Sequence, residues 1–210
     1  MNSARLAALS VSSLLLAGCA AAGGADDRVA GLEGQVCLQQ DVPADFRRQT
    51  SGDFTAQNLA DLGPNPEQRL QQLATAGMRG GHFAYWKQTV GRPPFEPPLD
   101  VICQVLEFDS EVQASAFVDA IRPDPEDLAT TALTWFPDGS RTVTEEPTTL
   151  SPAARAFAIH AEDRQTSVDI SAVVFPDGRF VRTVYLGGNG RRASVIDAVL
   201  IQRRMSGRLE

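Results

Sequence analysis

The sequence predicts an α+β domain, in which a mostly antiparallel β-sheet carries helices packed on one side. Two observations lead to this fold class. Segments with strand-like composition dominate the second half of the chain, and segments with helical apolar spacing separate the strands or close the domain. The chain has 210 residues, of which 43% are hydrophobic, so it is long enough to bury a core of ordinary size. We expect one folded domain over residues 34–210.

Three helices are predicted from their end signals. The first follows Asn65 and a proline at the first helical position, and it ends at Gly77. The second is capped by Asp109 or Ser110, and the third covers residues 191–205. In the second helix, the apolar residues expected to face the sheet are Val112, Ala116, Phe117, Ala120 and Ile121. In the third helix, they are Val195, Ile196, Val199 and Leu200.

Strands are predicted where β-branched and aromatic residues cluster between turn residues. These segments are residues 82–90, 100–108, 133–136, 141–145, 156–162, 167–175 and 180–186. The segment 100–108 is apolar on both faces, which indicates a central strand. The tetrapeptide Phe-Pro-Asp-Gly occurs at 136–139 and again at 175–178. Each copy predicts a hairpin turn, because proline sets the first turn angle and glycine accepts a positive one.

Residues 1–18 have the pattern of a secretory signal peptide. One basic residue, Arg5, precedes an apolar run over residues 6–16, which is shorter than the roughly 20 residues that a spanning helix needs. Residues 16–19 (Leu-Ala-Gly-Cys) resemble the lipobox of bacterial lipoproteins, and this resemblance implies cleavage before Cys19 and lipidation of its thiol. The alternative is an ordinary cleavable signal in which Cys19 is incidental. Residues 19–33 are expected to form the lipidated terminus and a flexible tether.

A lipid anchor on Cys19 would hold the mature protein on the extracytoplasmic face of a cell membrane, because two or more acyl chains bind a bilayer durably. Removal of the signal takes away Arg5 and changes the formal net charge from −7 to −8. An acidic surface without a long basic run makes nucleic acid an unsuitable partner. The expected partners are the membrane, through its anchor, and an envelope protein, lipid or glycan.

Two cysteines remain besides Cys19, in a compartment that permits oxidation. A bond between Cys37 and Cys103 is the one connectivity possible, and it would close a loop of 67 residues. The alternatives are two buried free thiols or a metal pair. Zinc would need two further ligands, and neither His82 nor His160 has ligand spacing to a cysteine. We therefore expect a disulfide, no metal site and no cofactor.

The densest aromatic segment, residues 82–86, is the candidate ligand site. His82 and Trp86 share one face of the predicted strand, and Tyr85 lies on the other. Aromatic faces bind sugars and lipid chains, although the same residues would serve a sheet core equally well. His82, Tyr85 and Trp86 are therefore candidate ligand-binding residues, with core packing as the alternative.

Several stretches resemble a known group of proteins: residues 73–77 leading into 80–86, residues 106–109 with the helix 114–121, and residues 198–204. They are similar to small envelope lipoproteins of actinobacteria, which are loosely similar to the extracellular sensor domains of mycobacterial receptor kinases. The resemblance covers residues 35–205 and implies an α+β fold and an envelope role. It offers no catalytic residue to transfer to this chain.

Signals for catalysis are weak in the sequence. The chain has no Gly-x-Ser-x-Gly pentapeptide, and His160 is predicted to face solvent from its strand. We assign no catalytic residue and interpret the chain as a non-catalytic domain that binds a ligand or a partner. One alternative is an envelope hydrolase with a site built around His82 or His160. The other is a structural accessory subunit of an envelope complex.

Overall fold

A computed structural model describes residues 31–62, 65–89, 99–121, 140–162, 167–189 and 194–209 of the chain. The predicted signal peptide and the lipidation site at Cys19 lie outside these ranges. The predicted strand at residues 133–136 and the first Phe-Pro-Asp-Gly turn also lie outside them.

Seven strands and four α-helices form within the described ranges. The strands are β1 (Phe46–Phe54), β2 (Met78–Gln88), β3 (Asp100–Phe108), β4 (Ser140–Glu146), β5 (Arg155–Glu162), β6 (Ser167–Asp177) and β7 (Phe180–Asn189). The helices are α1 (Ala56–Asp61), α2 (Pro66–Thr75), α3 (Glu111–Ala120) and α4 (Val195–Leu209), and a short 3₁₀ helix covers Leu32–Gln35. None of the described helices is both long and apolar enough to span a bilayer.

The strands form one antiparallel sheet in the order β1-β2-β3-β7-β6-β5-β4. Two meanders, β1 to β3 and β4 to β7, meet where β3 pairs with β7. The predicted α+β class and the antiparallel sheet are confirmed. The strand predicted to be central, β3, lies between β2 and β7, which explains why its sequence is apolar on both faces.

Helices cover both faces of the sheet. One face, here called the disulfide face, carries Cys103 and Val184 and is covered by α4 and the N-terminal segment. The opposite face carries Val181 and Tyr185 and is covered by α1, α2 and α3. The expectation that the helices lie on one side is therefore wrong for α4. Residues of β7 are apolar towards both faces, so each face needs its own apolar cover.

The second predicted helix forms, but only part of its predicted apolar side is buried. Its cap is Ser110, one of the two predicted candidates, whose hydroxyl accepts a hydrogen bond from the backbone N–H of Gln113. Ile121 is buried and Phe117 packs against the core, as predicted, whereas Val112 is 77% exposed and Ala114 and Val118 are buried instead. Ala114 is small enough to let the helix approach the strands closely, and apolar spacing alone did not distinguish this side from the other.

The last helix, α4, buries only part of its predicted apolar side. Val199 is buried and Val195 packs against the core, as predicted, whereas Ile196 is 71% exposed and Leu200 is 44% exposed. The buried side also includes Ala198, Ile201, Gln202 and Met205. Gln202 is polar, so apolar periodicity excludes it from a core face. Its side-chain amide donates to the hydroxyl of Ser206 at 2.8 Å, which satisfies one of its polar groups inside the core.

The second Phe-Pro-Asp-Gly copy forms the predicted hairpin between β6 and β7, but Pro176 lies in β6, where it pairs with Val181, and does not set the turn angle. Asp177 pairs with Phe180 across the turn, and Gly178 has a φ of 57°. A side chain rarely adopts this left-handed conformation, which accounts for glycine at this position.

Candidate functional site

His82 occupies a buried position on the disulfide face of β2. It lies opposite Asp53 of β1 on one side and opposite Val105 of β3 on the other. Its Nδ1 is 2.6 Å from Oδ1 of Asp53, and the residue is only 6% exposed. Its Nε2 is buried and has no hydrogen-bond partner among the described residues. The histidine is therefore held by a carboxylate at one nitrogen while the other nitrogen is unpaired.

The structure does not bring the three predicted ligand residues to one surface. Consecutive residues of a strand point to opposite faces, so Tyr85 lies on the face opposite His82 and Trp86. Tyr85 is buried, and its hydroxyl donates to Oδ1 of Asp100 at 3.1 Å. Burial and the neighbouring Asp100 carboxylate raise the pKa of Tyr85 above its usual range. Burial likewise raises the pKa of Asp100, against the opposing effects of Lys87 and of the Tyr85 hydrogen bond.

Trp86 packs in the core of the disulfide face, among the residues that surround the cysteine pair. It is 3% exposed, and its indole Nε1 has no hydrogen-bond partner among the described residues. A tryptophan N–H usually finds a partner when the ring is buried. The ring of Trp86 therefore packs in the core, as the alternative to ligand binding predicts, whereas its indole N–H has no partner among the described residues.

Glu107 is a buried polar residue that the sequence reasoning missed. It lies on β3 two residues from Val105, so it shares the disulfide face with His82 and is diagonal to it across the β2–β3 pair. Its Oε1 is 2.9 Å from a guanidinium nitrogen of Arg179, and its Oε2 is buried without a partner among the described residues. The signal was an isolated glutamate inside an apolar strand.

Arg182 joins the N-terminal segment to the sheet beside Glu107. It is buried on β7, where its Nε donates to Oδ2 of Asp177 at 2.8 Å. Its two terminal nitrogens donate to the backbone carbonyl of Gln35, at 2.5 Å, and to the side-chain oxygen of Gln35, at 2.7 Å. The guanidinium also lies over the ring of Phe180, 5.7 Å from its centroid. These contacts fix the 3₁₀ helix over the disulfide face.

Cys37 and Cys103 form the second attachment of the N-terminal segment. The structure places them as a disulfide with Cα atoms 5.7 Å apart, a separation typical of such bonds. The Sγ of Cys37 is 3.8 Å from the Sδ of Met205 on α4. The segment from Gly31 to Asp41, here called the strap, is thus held at Gln35 by Arg182 and at Cys37 by β3.

Unpaired buried polar atoms concentrate in one layer of the molecule. Four side-chain atoms in the described ranges are buried without a hydrogen-bond partner: His82 Nε2, Trp86 Nε1, Glu107 Oε2 and Gln202 Oε1. All four belong to the disulfide face or to the helix that covers it. Native proteins pair nearly all such atoms with protein groups or ordered water, and each one left unpaired costs about 1–3 kcal/mol. A polar ligand would therefore find most of its potential partners in this layer.

His160 has a different environment, at the surface of β5. Its Nδ1 is 2.8 Å from Oδ1 of Asp169, and its Nε2 is 3.6 Å from Oε2 of Glu162. The side chain is 46% exposed, as the sequence predicts for a solvent-facing residue. The hydrogen bond to Asp169 raises the pKa of His160 and is the largest effect. Partial burial opposes it, and the charge of Asp169 together with the hydrogen bond and charge of Glu162 add smaller upward contributions.

Neither histidine is joined to a nucleophile in the described ranges. His82 and His160 both bond to carboxylates, and no serine, threonine or cysteine within these ranges is hydrogen-bonded to either ring. In the same part of the chain, no group of three or more His, Cys, Asp or Glu residues is arranged to hold a metal ion. The candidate functional groups in the described ranges are therefore two carboxylate–imidazole pairs and the unpaired atoms of the buried layer.

Comparison with known proteins gives structural neighbours only. No protein-family model and no curated protein matches the chain. The fold is similar to the extracellular domain of PknH from Mycobacterium tuberculosis, with 12% sequence identity, a TM-score of 0.54, and coverage of 85% of this chain and 94% of that chain. LpqN, involved in cell envelope biogenesis of Mycobacterium tuberculosis, matches with 13% identity, a TM-score of 0.34, and coverage of 79% of this chain and 78% of that chain.

The first of these neighbours confirms the loose similarity to mycobacterial extracellular domains that the sequence indicates. At 12% identity, the likeness shows a shared fold and nothing about ligands or chemistry. The assignment of function therefore depends on the residues of this chain.

Proposed function

We propose that this protein is a lipid-anchored, extracytoplasmic lipoprotein whose α+β domain binds a ligand or a partner of the cell envelope and is not an enzyme. The anchor is Cys19, in the lipobox-like sequence that ends the signal peptide. A flexible tether, expected over residues 19–33, would link this anchor to the domain. The fold is shared with a domain that is itself extracellular, which supports the same compartment here.

The observation that carries the proposal is the pairing of Cys37 with Cys103. Disulfides persist in secreted proteins and are rare in the cytosol, where thiols are kept reduced. The two cysteines lie on segments far apart in the chain, and their Cα atoms meet at 5.7 Å in the core of the disulfide face. A pair placed in this way suits an oxidising compartment, which the signal peptide independently predicts.

Binding is favoured over catalysis by the contacts of the two histidines. Acyl transfer by a histidine needs a nucleophile within hydrogen-bond reach, and the described residues place none at His82 or His160. The unpaired polar atoms of the buried layer can donate to or accept from a ligand, and they are already out of contact with bulk water.

Intact mass of the protein extracted from membranes tests the anchor and the cysteine pair together. We expect a chain that begins at Cys19 and carries a diacylglycerol, and that takes up a thiol reagent only after reduction. The matched control is Cys19→Ser, which should be released from the membrane without lipid while keeping the pair oxidised. A full-length chain without lipid and with free thiols would contradict the proposal.

A hydrolase is the second candidate, because Asp53 and His82 reproduce the acid and base of a triad. A serine-directed fluorophosphonate probe distinguishes the two. The binding role predicts no labelling of the purified mature chain. Labelling that is lost in His82→Asn and kept in His160→Asn would favour the hydrolase.

A further inference from the structure

We propose that His82 Nε2 and Glu107 Oε2 together bind a primary ammonium group, which enters at the end of the sheet beside the strap. The inference builds on the proposed binding role and names its site and the chemical class of its ligand. The ligand can be a lysine side chain, an amino sugar or an ethanolamine headgroup, since each presents the same N–H donors.

The strand register places both residues on one face of the sheet as diagonal neighbours. The two ring nitrogens of an imidazole point in widely divergent directions, and Nδ1 of His82 points to Asp53 on β1. Nε2 therefore points away from β1, towards the β3 side, where Glu107 is its diagonal neighbour. The strand position between them on β2 is Gly80, which pairs with Glu107 and has no side chain to fill the space.

The chemistry of the two atoms selects a hydrogen-bond donor. The proposed site takes His82 as the tautomer in which Nδ1–H donates to the Asp53 carboxylate, and this tautomer leaves Nε2 with a lone pair as an acceptor. Oε2 of Glu107 is an acceptor as well, and its partner oxygen already receives Arg179. Two acceptors that face one space cannot bond to each other, so the group that pairs with both must bring at least two N–H or O–H donors.

The charges around the pair favour a cation over a neutral donor. In this tautomer His82 carries no charge, and the ion pairs around the site contain three carboxylates and two guanidiniums, which leave one uncompensated negative charge. These groups are Asp53, Glu107, Asp177, Arg179 and Arg182. A single ammonium neutralises the cluster. A divalent metal is less suited, because the described residues supply only two ligands and no group of three.

Access is available at one side of the pair. The side chains of Asp53 and Arg179 are each 55% exposed, so the partners of His82 and Glu107 lie at the solvent boundary. The strap covers the other side, where Leu32 packs in the disulfide-face core and Gln35 bonds to Arg182. The ligand group would thus pass from exposed charges to buried acceptors.

The test is a titration of the full mature chain with methylammonium, followed by nitrogen NMR of the histidine rings. The chain has only two histidines, so His160→Asn assigns the His82 signals and serves as the matched control. We expect a saturable shift at His82 Nε2. Tetramethylammonium, which has the same charge and no N–H donor, should leave this signal unchanged. Glu107→Gln should weaken methylammonium binding at least tenfold, while His160→Asn should not change it.

Absence of a saturable shift in the folded wild-type chain overturns the inference, and so does an equal response to tetramethylammonium. Both outcomes are read in the wild type, so they stand even if Glu107→Gln fails to fold. Acetyl-lysine methylamide and phosphoethanolamine then distinguish a protein lysine from a lipid headgroup by which of them binds more tightly. If the chain is lipidated and oxidised but does not bind methylammonium, the ammonium site is wrong and the proposed function stands. If the chain is unlipidated but binds methylammonium, the proposed function is wrong and the site stands.

Discussion

Arg182 of β7 holds Gln35 of the strap through two hydrogen bonds, to the backbone carbonyl and to the side-chain oxygen, across 147 residues of sequence. The guanidinium is buried, and its third bond is to Asp177. Because a buried cation is costly unless all of its donors are used, these bonds connect the stability of the sheet to the position of the strap.

Arg182→Met is therefore expected to lower the free energy of unfolding by about 3 kcal/mol, the usual cost of breaking a buried charged network. Urea unfolding followed by circular dichroism measures the change. Arg203→Met is the matched control, since Arg203 is exposed and, among the described residues, bonds only to Thr149 at the surface. Its effect should stay within about 0.5 kcal/mol. Equal effects of the two substitutions would show that the Arg182 network adds nothing.

Reduction of the Cys37–Cys103 pair should also destabilise the domain. Closure of a 67-residue loop removes chain entropy from the unfolded state and contributes about 4 kcal/mol in the loop-entropy model. Urea midpoints of the oxidised and reduced chains measure this difference. Limited proteolysis should cut the reduced chain first within the strap, because the strap then loses its covalent attachment and keeps only noncovalent contacts, such as those with Arg182 and Arg48. An unchanged midpoint after complete reduction would contradict the prediction.

Two isoleucines of α4 give a test of which side of the helix is buried. Ile201 is 4% exposed and Ile196 is 71% exposed. Ile201→Ala should cost about 2–4 kcal/mol through lost burial and a cavity, whereas Ile196→Ala should change stability by less than about 0.5 kcal/mol. Thermal unfolding of the two variants is the measurement. The reverse order would restore the orientation that apolar spacing predicts from the sequence.

The buried side of α4 shows where sequence reasoning reaches its limit. Six of the seven strands, the Ser110 cap and the Gly178 turn follow from local residue preferences, whereas β1 and α1 were not predicted. The buried side of a helix depends on which neighbour it meets, and Gln202 is buried with its side-chain amide paired to Ser206. The same limit explains why the sequence predicts only one of the two site residues. The aromatic neighbours of His82 identify it as a candidate, but Glu107 becomes a candidate only when the strand pairing places it beside His82.

Gly77 and Gly178 both have positive φ, but they differ in their surroundings. A Cβ added at Gly77, where φ is 77°, would lie 2.9 Å from Oδ2 of Asp109 and would also contact the Gln113 side chain. At Gly178, where φ is 57°, a Cβ would meet open space. Gly178→Ala should thus cost about 1 kcal/mol, from backbone strain alone, and Gly77→Ala should cost about 2 kcal/mol or more. Chemical denaturation measures the loss of unfolding free energy in each variant. Equal losses would show that the side chains around Gly77 move aside without cost.

The pH dependence of the domain should include a contribution from His160. The hydrogen bond to Asp169 raises the pKa of His160 above its ordinary value of 6.5 in the folded chain. A raised folded pKa means that the folded state binds the proton more tightly than the unfolded state does. The resulting stabilisation is fully present below pH 6.5 and is lost as the pH rises through the raised pKa.

Asp169→Asn removes the charge and the acceptor that favour the imidazolium, so it should lower the pKa of His160 in an NMR titration. It should also flatten the decline in stability above pH 6.5. His160→Asn should flatten that decline at least as much, because it removes the contribution of Glu162 as well as that of Asp169. The effect is small, since the ring is half exposed and solvent screens its charge. If the His160 titration is unchanged in Asp169→Asn, the raised pKa has another origin, with Glu162, 3.6 Å from Nε2, as the remaining charged neighbour to substitute.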